Sequence, residues 1–121
     1  MAVVGLSPDP SRASHRVATY LAQHGYEIIP VNPDAREILG RPSYPDLQSL
    51  PQSVEIVDIF RRSEEVLPIV DEAIKIGAKA VWMQEGVINE VAAAKARDAG
   101  LLVVMDKCML KEHRRLSKEQ G

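Results

Sequence analysis

A chain of 121 residues with fifteen Lys+Arg, seventeen Asp+Glu and a formal net charge of -2 has the size of one domain, expected over residues 1–121. It can build a core without disulfide or metal. The 45% hydrophobic and 26% charged content excludes a disordered chain, and the single cysteine excludes a disulfide framework or a Cys-based zinc site. Near-neutral charge with one Trp, one Phe and three Tyr argues against a nucleic-acid binder, and no apolar run reaches the ~18 residues of a membrane span.

Met1-Ala2-Val3-Val4-Gly5 carries no basic n-region, which argues against a signal peptide and, with the lone reduced thiol, predicts a cytoplasmic protein. Ala2–Leu6 is a short apolar run ended by Ser7-Pro8-Asp9-Pro10, the pattern of a buried strand and a loop. A helix is predicted from Ser14 to His24, with Val17, Tyr20, Leu21 and His24 on one face and Gly25 at its end. Glu27–Val31 is the second strand, although Pro30 cannot donate to a central ladder. The proline-rich stretch from Asn32 to Ser53 is predicted to be loop with a helical turn around Asp46–Leu50, and Val54–Phe60 the third strand.

Ser63 is expected to cap a helix with Glu64 and Glu65 in its first turn; Pro68 puts the boundary a few residues later, and Gly77 ends it. Lys79–Gln84 is the fourth strand. Asn89 caps an Ala-rich helix ending at Gly100, Leu101–Met105 is the fifth strand, and a last helix covers Met109–Ser117. The basic tail from Lys107 to Lys118 is read as a solvated helix face.

This alternation predicts an α/β fold: a doubly wound, Rossmann-like parallel sheet of five strands in the order 3-2-1-4-5, with helices on both faces. Ligands of such sheets bind at the carboxyl ends of the strands, near the point where the order reverses. Those ends are Gly5-Leu6-Ser7, Asn32-Pro33, Phe60-Arg61-Arg62, Gln84-Glu85-Gly86 and Asp106-Lys107-Cys108.

The first loop is the nearest to a phosphate cradle. Gly5 permits close backbone approach, Ser7 brings a hydroxyl, Arg12 a guanidinium, and the following helix its free amides. It is neither GxGxxG nor a P-loop, and a structural glycine explains it as well. Asn32 stands where a nicotinamide-binding domain usually carries an acid, which counts against NAD. Arg61 is placed to reach a phosphate and Phe60 to flank a base; otherwise the arginines pair with Glu64 or Glu65. His15, His24 and His113 form no catalytic set, and no nucleophilic or metal motif occurs. Cys108 lacks a neighbouring base and is read as an incidental thiol, and Trp82, Met83 and Met105 as core.

The segments Ala2–Ser7, Tyr26–Pro33, Val57–Arg61, Ala78–Gly86 and Val103–Cys108 together resemble the small stand-alone CoA-binding proteins related to the N-terminal domain of the succinyl-CoA synthetase α subunit. The resemblance covers nearly the whole chain. It implies coenzyme A or an acyl-CoA as ligand, bound by a module with no catalysis of its own. It has the loop at Ser7, with Gly5 and Leu6, hold phosphate, puts Asn32 and Pro33 on the nucleotide side, and closes Phe60 and Arg61 over the ligand; Arg12 joins this set from the residue pattern of the first loop. Gln84 and Gly86 lie toward the pantetheine arm. Members usually carry a helix ahead of the first strand, whereas this sequence opens on the strand itself. The synthetases also need a phosphorylated histidine and an ATP-grasp partner, which this sequence lacks, so their chemistry is not expected here. The alternatives are a small nicotinamide-dependent enzyme or redox sensor, or a non-catalytic subunit of an acyl-CoA ligase. The expected partners are CoA itself, a second copy of the chain or an acyl-CoA-using enzyme, with neither nucleic acid nor membrane.

Overall fold

The structure, a computed structural model, describes residues 1–120. Strand β1 (Ala2–Val4) leads to helix α1 (Ala13–Gln23), strand β2 (Ile29–Val31) and a hairpin of β3 (Glu37–Ile38) and β4 (Arg41–Pro42). Then follow β5 (Ile56–Ile59), α2 (Val66–Lys75), β6 (Ala80–Met83), α3 (Glu90–Asp98), β7 (Leu102–Val104) and α4 (Met109–Gln120). Five strands form one parallel sheet in the order β2-β1-β5-β6-β7, and β3 pairs only with β4.

The doubly wound α/β class is as expected, with one strand reassigned. Val54–Phe60 does not lie outside β2. Its core, β5, pairs with β1, Ala2 opposite Val57 and Val4 opposite Ile59. The outer place beside β2 is held by one parallel bridge between Val31 and Tyr44. There the Tyr44 N–H donates to the Pro30 carbonyl at 3.0 Å, and the Asn32 N–H to the Tyr44 carbonyl at 2.8 Å. Counted with that bridge, the path is 3-2-1-4-5 with β7 added beyond the fifth place. Two backbone bonds make this rudimentary strand, so no apolar run announces it in the proline-rich stretch.

Pro30 is tolerated for a related reason. The Ile29 N–H and the Val31 carbonyl both bond toward β1, at 2.9 Å each. Pro30 between them therefore turns its missing N–H to the edge of the five-stranded ladder.

Alternate strand residues supply two cores. Val4, Val57, Ile59, Val81 and Met83 face α2 and α3, whose Val66, Val70, Ala73, Ala92, Ala93 and Ala96 are buried against them. Val3 and Leu6 face α1 and α4 with Val17, Ala18, Leu21 and Met109. The alanines of α3 let that helix lie close to the sheet.

Asn89 caps α3 as expected, its side-chain oxygen accepting from the Ala92 N–H at 2.9 Å. Ser63 does not cap α2: residues Ser63–Glu65 form a separate 3-10 turn, and α2 begins at Val66. Pro68 then falls in the first helical turn, where its absent N–H costs no intrahelical bond. No helix among the described residues is long and apolar enough to cross a membrane.

Candidate functional site

The chain leaves β1 through Gly5, whose φ is +85°, a conformation glycine adopts without strain. There β1 and β5 end side by side and the backbone turns aside into α1. A cleft of about 660 Å³ opens over them, lined by Gly5, Ser7, the α1 entry Ser11–Ser14, Phe60–Arg62, Glu65, Gln84, Glu85 and Val87. A second cavity of about 270 Å³ lies beside it, between the ends of β1 and β2, the Pro45–Leu47 segment and α2. Gly5, Arg61 and Glu65 border both.

The β1–α1 loop is held by its own polar side chains. The Ser7 N–H donates to Ser14 Oγ at 3.0 Å, and the Asp9 N–H to Ser7 Oγ at 3.1 Å. Asp9 Oδ1 accepts from the Ser11 N–H at 2.9 Å and its hydroxyl at 2.8 Å. These bonds, the backbone one foremost, hold the Asp9 carboxyl below its ordinary range. Helix α1 has Arg12 at its N-cap position, with no side-chain cap bond and no acid in its first turn. The positive end of the helix therefore meets the cleft, with the Asp9 carboxylate in the turn ahead of it rather than within the first helical turn.

Charge divides between the two cavities. The larger is lined by Arg12, Arg61 and Arg62 against Glu65 and Glu85. The smaller has Arg61 alone against Asp46, Glu65 and Glu72. Burial pushes the Glu72 carboxyl up, and the charge of Asp46 adds to the shift. Asn32 on the rim ties two loops together: its Nδ2 donates to the Leu6 carbonyl at 3.0 Å, and its Oδ1 accepts from the Asp34 N–H at 2.8 Å.

The floor of the larger cleft is Gln84, itself 3% exposed. Its Nε2 donates to Asp58 Oδ1, and its Oε1 accepts from the Met109 N–H at the start of α4, at 3.2 Å. Asp58 is fully buried in β5, and its Oδ2 has no partner. Burial pushes this carboxyl up to about 7, against the opposing bonds from Gln84 and the Ile59 backbone. Asp58, which lines neither cavity but holds Gln84, was not singled out from sequence; the signal was an acid in the interior of the apolar run Val54–Phe60, which also carries Glu55 near its start. The neighbouring loops are tied as well. The Gly86 N–H donates to Asp106 Oδ1 at 2.7 Å, and Lys111 meets Glu85 at 3.0 Å, which raises the lysine.

Of the residues singled out from sequence, Gly5, Ser7, Arg12, Phe60, Arg61 and Gln84 meet in the larger cleft. Gly5, Asn32, Pro33 and Arg61 meet in the smaller. Leu6 lines neither; its side chain is fully buried in the α1-side core, and its carbonyl serves Asn32. Gly86 also lies outside both, in the turn after β6. Cys108 packs partly buried on the α1-side core. His24 and His113 come together around Tyr20, whose hydroxyl lies 2.8 Å from His113 Nδ1, but neither lines the cleft. Among the described residues, no group of three or more His, Cys, Asp or Glu is placed to hold a metal ion.

The family model for the CoA binding domain matches residues 1–114. The chain is 40% identical over 113 residues to the uncharacterized protein YneT of Bacillus subtilis (strain 168), covering 93% of this chain and 84% of that one. It is 32% identical over 101 residues to the ADP-forming acetate–CoA ligase I of Archaeoglobus fulgidus, covering 84% of this chain but 14% of the ligase. A solved structure of a hypothetical protein from Pyrococcus horikoshii OT3 superimposes with a TM-score of 0.93 at 45% identity, over 95% of this chain and 81% of that one. A Thermus thermophilus structure does so with a TM-score of 0.91 at 35% identity, over 95% and 87%.

Proposed function

We propose that this chain, which belongs to the family of CoA binding domains, binds coenzyme A or an acyl-CoA across the two cavities and does not itself make or break the thioester. The observation that carries the reading is the division of charge at the strand ends. Coenzyme A has a pyrophosphate and a 3′-phosphate, and the larger cleft offers three arginines and the uncapped start of α1. The smaller cavity, with three acids and Asn32, suits an uncharged group with hydrogen-bond donors and repels phosphate, so it takes the nucleoside. The pantetheine arm runs along Gln84 toward Gly86.

Binding without turnover is supported by the side chains present. Neither His nor Cys lines the larger cleft, and its serine hydroxyls are engaged within the β1–α1 loop itself, Ser7 and Ser14 accepting backbone N–H groups and Ser11 bonded to Asp9. The ligase relative resembles this chain over a small part of its own length. A partner enzyme that forms or uses acyl-CoA would supply the chemistry.

Thermal melts and calorimetry with CoA, acetyl-CoA and NAD test the reading. A ligand specific to the native state adds about 2.7 kcal/mol at a hundredfold excess over its Kd. CoA and acetyl-CoA are expected to raise the melting temperature. A melt unmoved by millimolar CoA, or NAD bound more tightly than CoA, overturns it.

A further inference from the structure

Arg61 is the cation common to both cavities, and it is already engaged. Its guanidinium lies 3.0 Å from Glu65, one helical turn on, and the two side chains are 44% and 37% exposed. Glu65 borders both cavities as well. Arg61 also lies close over the β1 end: a Cβ added to Gly5 would come within 2.9 Å of its Cδ. The ion pair thus sits at the junction between the two spaces that one extended ligand would have to join.

We propose that Glu65 is a positioning residue that holds Arg61 across this junction, and that a ligand phosphate takes its place. The inference rests on the CoA reading and adds an exchange of anions to it. An exposed carboxylate–guanidinium pair is weak, because water and salt screen it. A phosphate monoester carries about -1.5 to -2 charge at pH 7 and three acceptor oxygens, and it pairs with a guanidinium in bidentate fashion. A dianionic phosphate therefore displaces the carboxylate, whereas a hydroxyl or an uncharged base does not. Until then Glu65 neutralises Arg61 and keeps the junction closed to weaker anions.

The exchange predicts an energetic coupling that simple repulsion does not. The parent, Glu65→Gln, Arg61→Ala and the double variant are titrated with CoA by calorimetry at low salt. Arg61 is exposed and Glu65 half-buried, neither in the core, so the variants are expected to fold, which thermal melts check. Glu65→Gln is expected to bind CoA about three- to tenfold more tightly than the parent, since the competing anion is gone. In the Arg61→Ala background the same change is expected to gain less than about twofold. An equal gain in both backgrounds would show that Glu65 merely repels phosphate, and no gain in either would show that it does not compete; each result overturns the exchange while leaving CoA binding intact. Failure of all four proteins to bind CoA overturns the CoA reading, and the exchange with it.

Discussion

Gly5 lies directly beneath the backbone of Phe60. A Cβ at Gly5 would come to 3.0 Å from the Phe60 carbonyl carbon and closer still to its oxygen. The approach is fixed, because the Phe60 N–H donates to the Val4 carbonyl at 2.8 Å. Gly5→Ala would combine that clash with a positive φ. It is expected to destabilise the fold by roughly 1–3 kcal/mol or more, and to weaken CoA binding by displacing Phe60 and Arg61. Denaturant unfolding reads the first effect and calorimetry the second; an unchanged unfolding midpoint would contradict this account of the strand end.

Asp58 gives a pH dependence of definite sign. Its carboxyl is raised from the ordinary 3.8 to about 7 by burial. Between those values the unfolded chain has released the proton while the native protein keeps it. The native state then binds more protons, so this residue's contribution to stability falls as pH rises through that window. Below about pH 4 both states are protonated and the effect vanishes. Asp58→Asn cannot ionise. Its unfolding free energy relative to the parent should therefore rise by a few kcal/mol between about pH 4 and pH 7. Urea unfolding of both proteins across that range measures it, and a constant difference would mean that Asp58 is ionised in the native state throughout.

What the sequence made legible follows from which interactions are local. Asn89 and Gly25 mark helix ends through bonds and dihedrals a few residues away, and both were readable. The strand cores were readable because a parallel sheet buried on both faces demands continuous apolar runs. Tyr44 was not, because its pairing uses backbone groups of a distant strand and leaves no pattern in its own segment. Ser63 misled for the same reason: its hydroxyl accepts from the Ile88 N–H at 2.9 Å, 25 residues away, instead of closing the turn beside it. At the site, the strand-end rule located Gly5, Ser7, Phe60, Arg61 and Gln84. It did not reveal that the Leu6 side chain points into the core; the pairing of a strand-end arginine with Glu64 or Glu65 was the alternative left open from sequence, and Arg61 makes it with Glu65.

Asn32 has a structural duty that a nucleotide-centred reading overlooks. Replacing it by Asp removes the donor to the Leu6 carbonyl and adds an acid to a cavity already lined by Asp46, Glu65 and Glu72. Asn32→Asp is expected to lose about 1–3 kcal/mol of stability and to bind CoA less tightly, without gaining affinity for NAD. Melts and calorimetry with both nucleotides check this; tighter NAD binding by the variant would show that the position recognises a ribose as an NAD domain does.

Coenzyme A and dephospho-CoA share the pyrophosphate and differ in the 3′-phosphate. Ser7 sits in the β1–α1 loop, where its hydroxyl accepts from the Asp9 N–H and its own N–H is held by Ser14. If this loop and the α1 start hold the pyrophosphate, Ser7→Ala should weaken both ligands by a similar factor. Arg61 stands at the junction of the cavities, between the cationic cleft and the acidic one. On the proposed reading, a 3′-phosphate of a nucleoside in the smaller cavity would emerge there. A hydrogen bond to a charged group is worth about 1.5–3 kcal/mol, so Arg61→Ala should weaken CoA by roughly ten- to a hundredfold and dephospho-CoA distinctly less. Calorimetric titration of the parent and both variants with the two ligands decides it. Equal losses for CoA and dephospho-CoA in Arg61→Ala would move Arg61 to the pyrophosphate and leave the 3′-phosphate to Arg12 or Arg62.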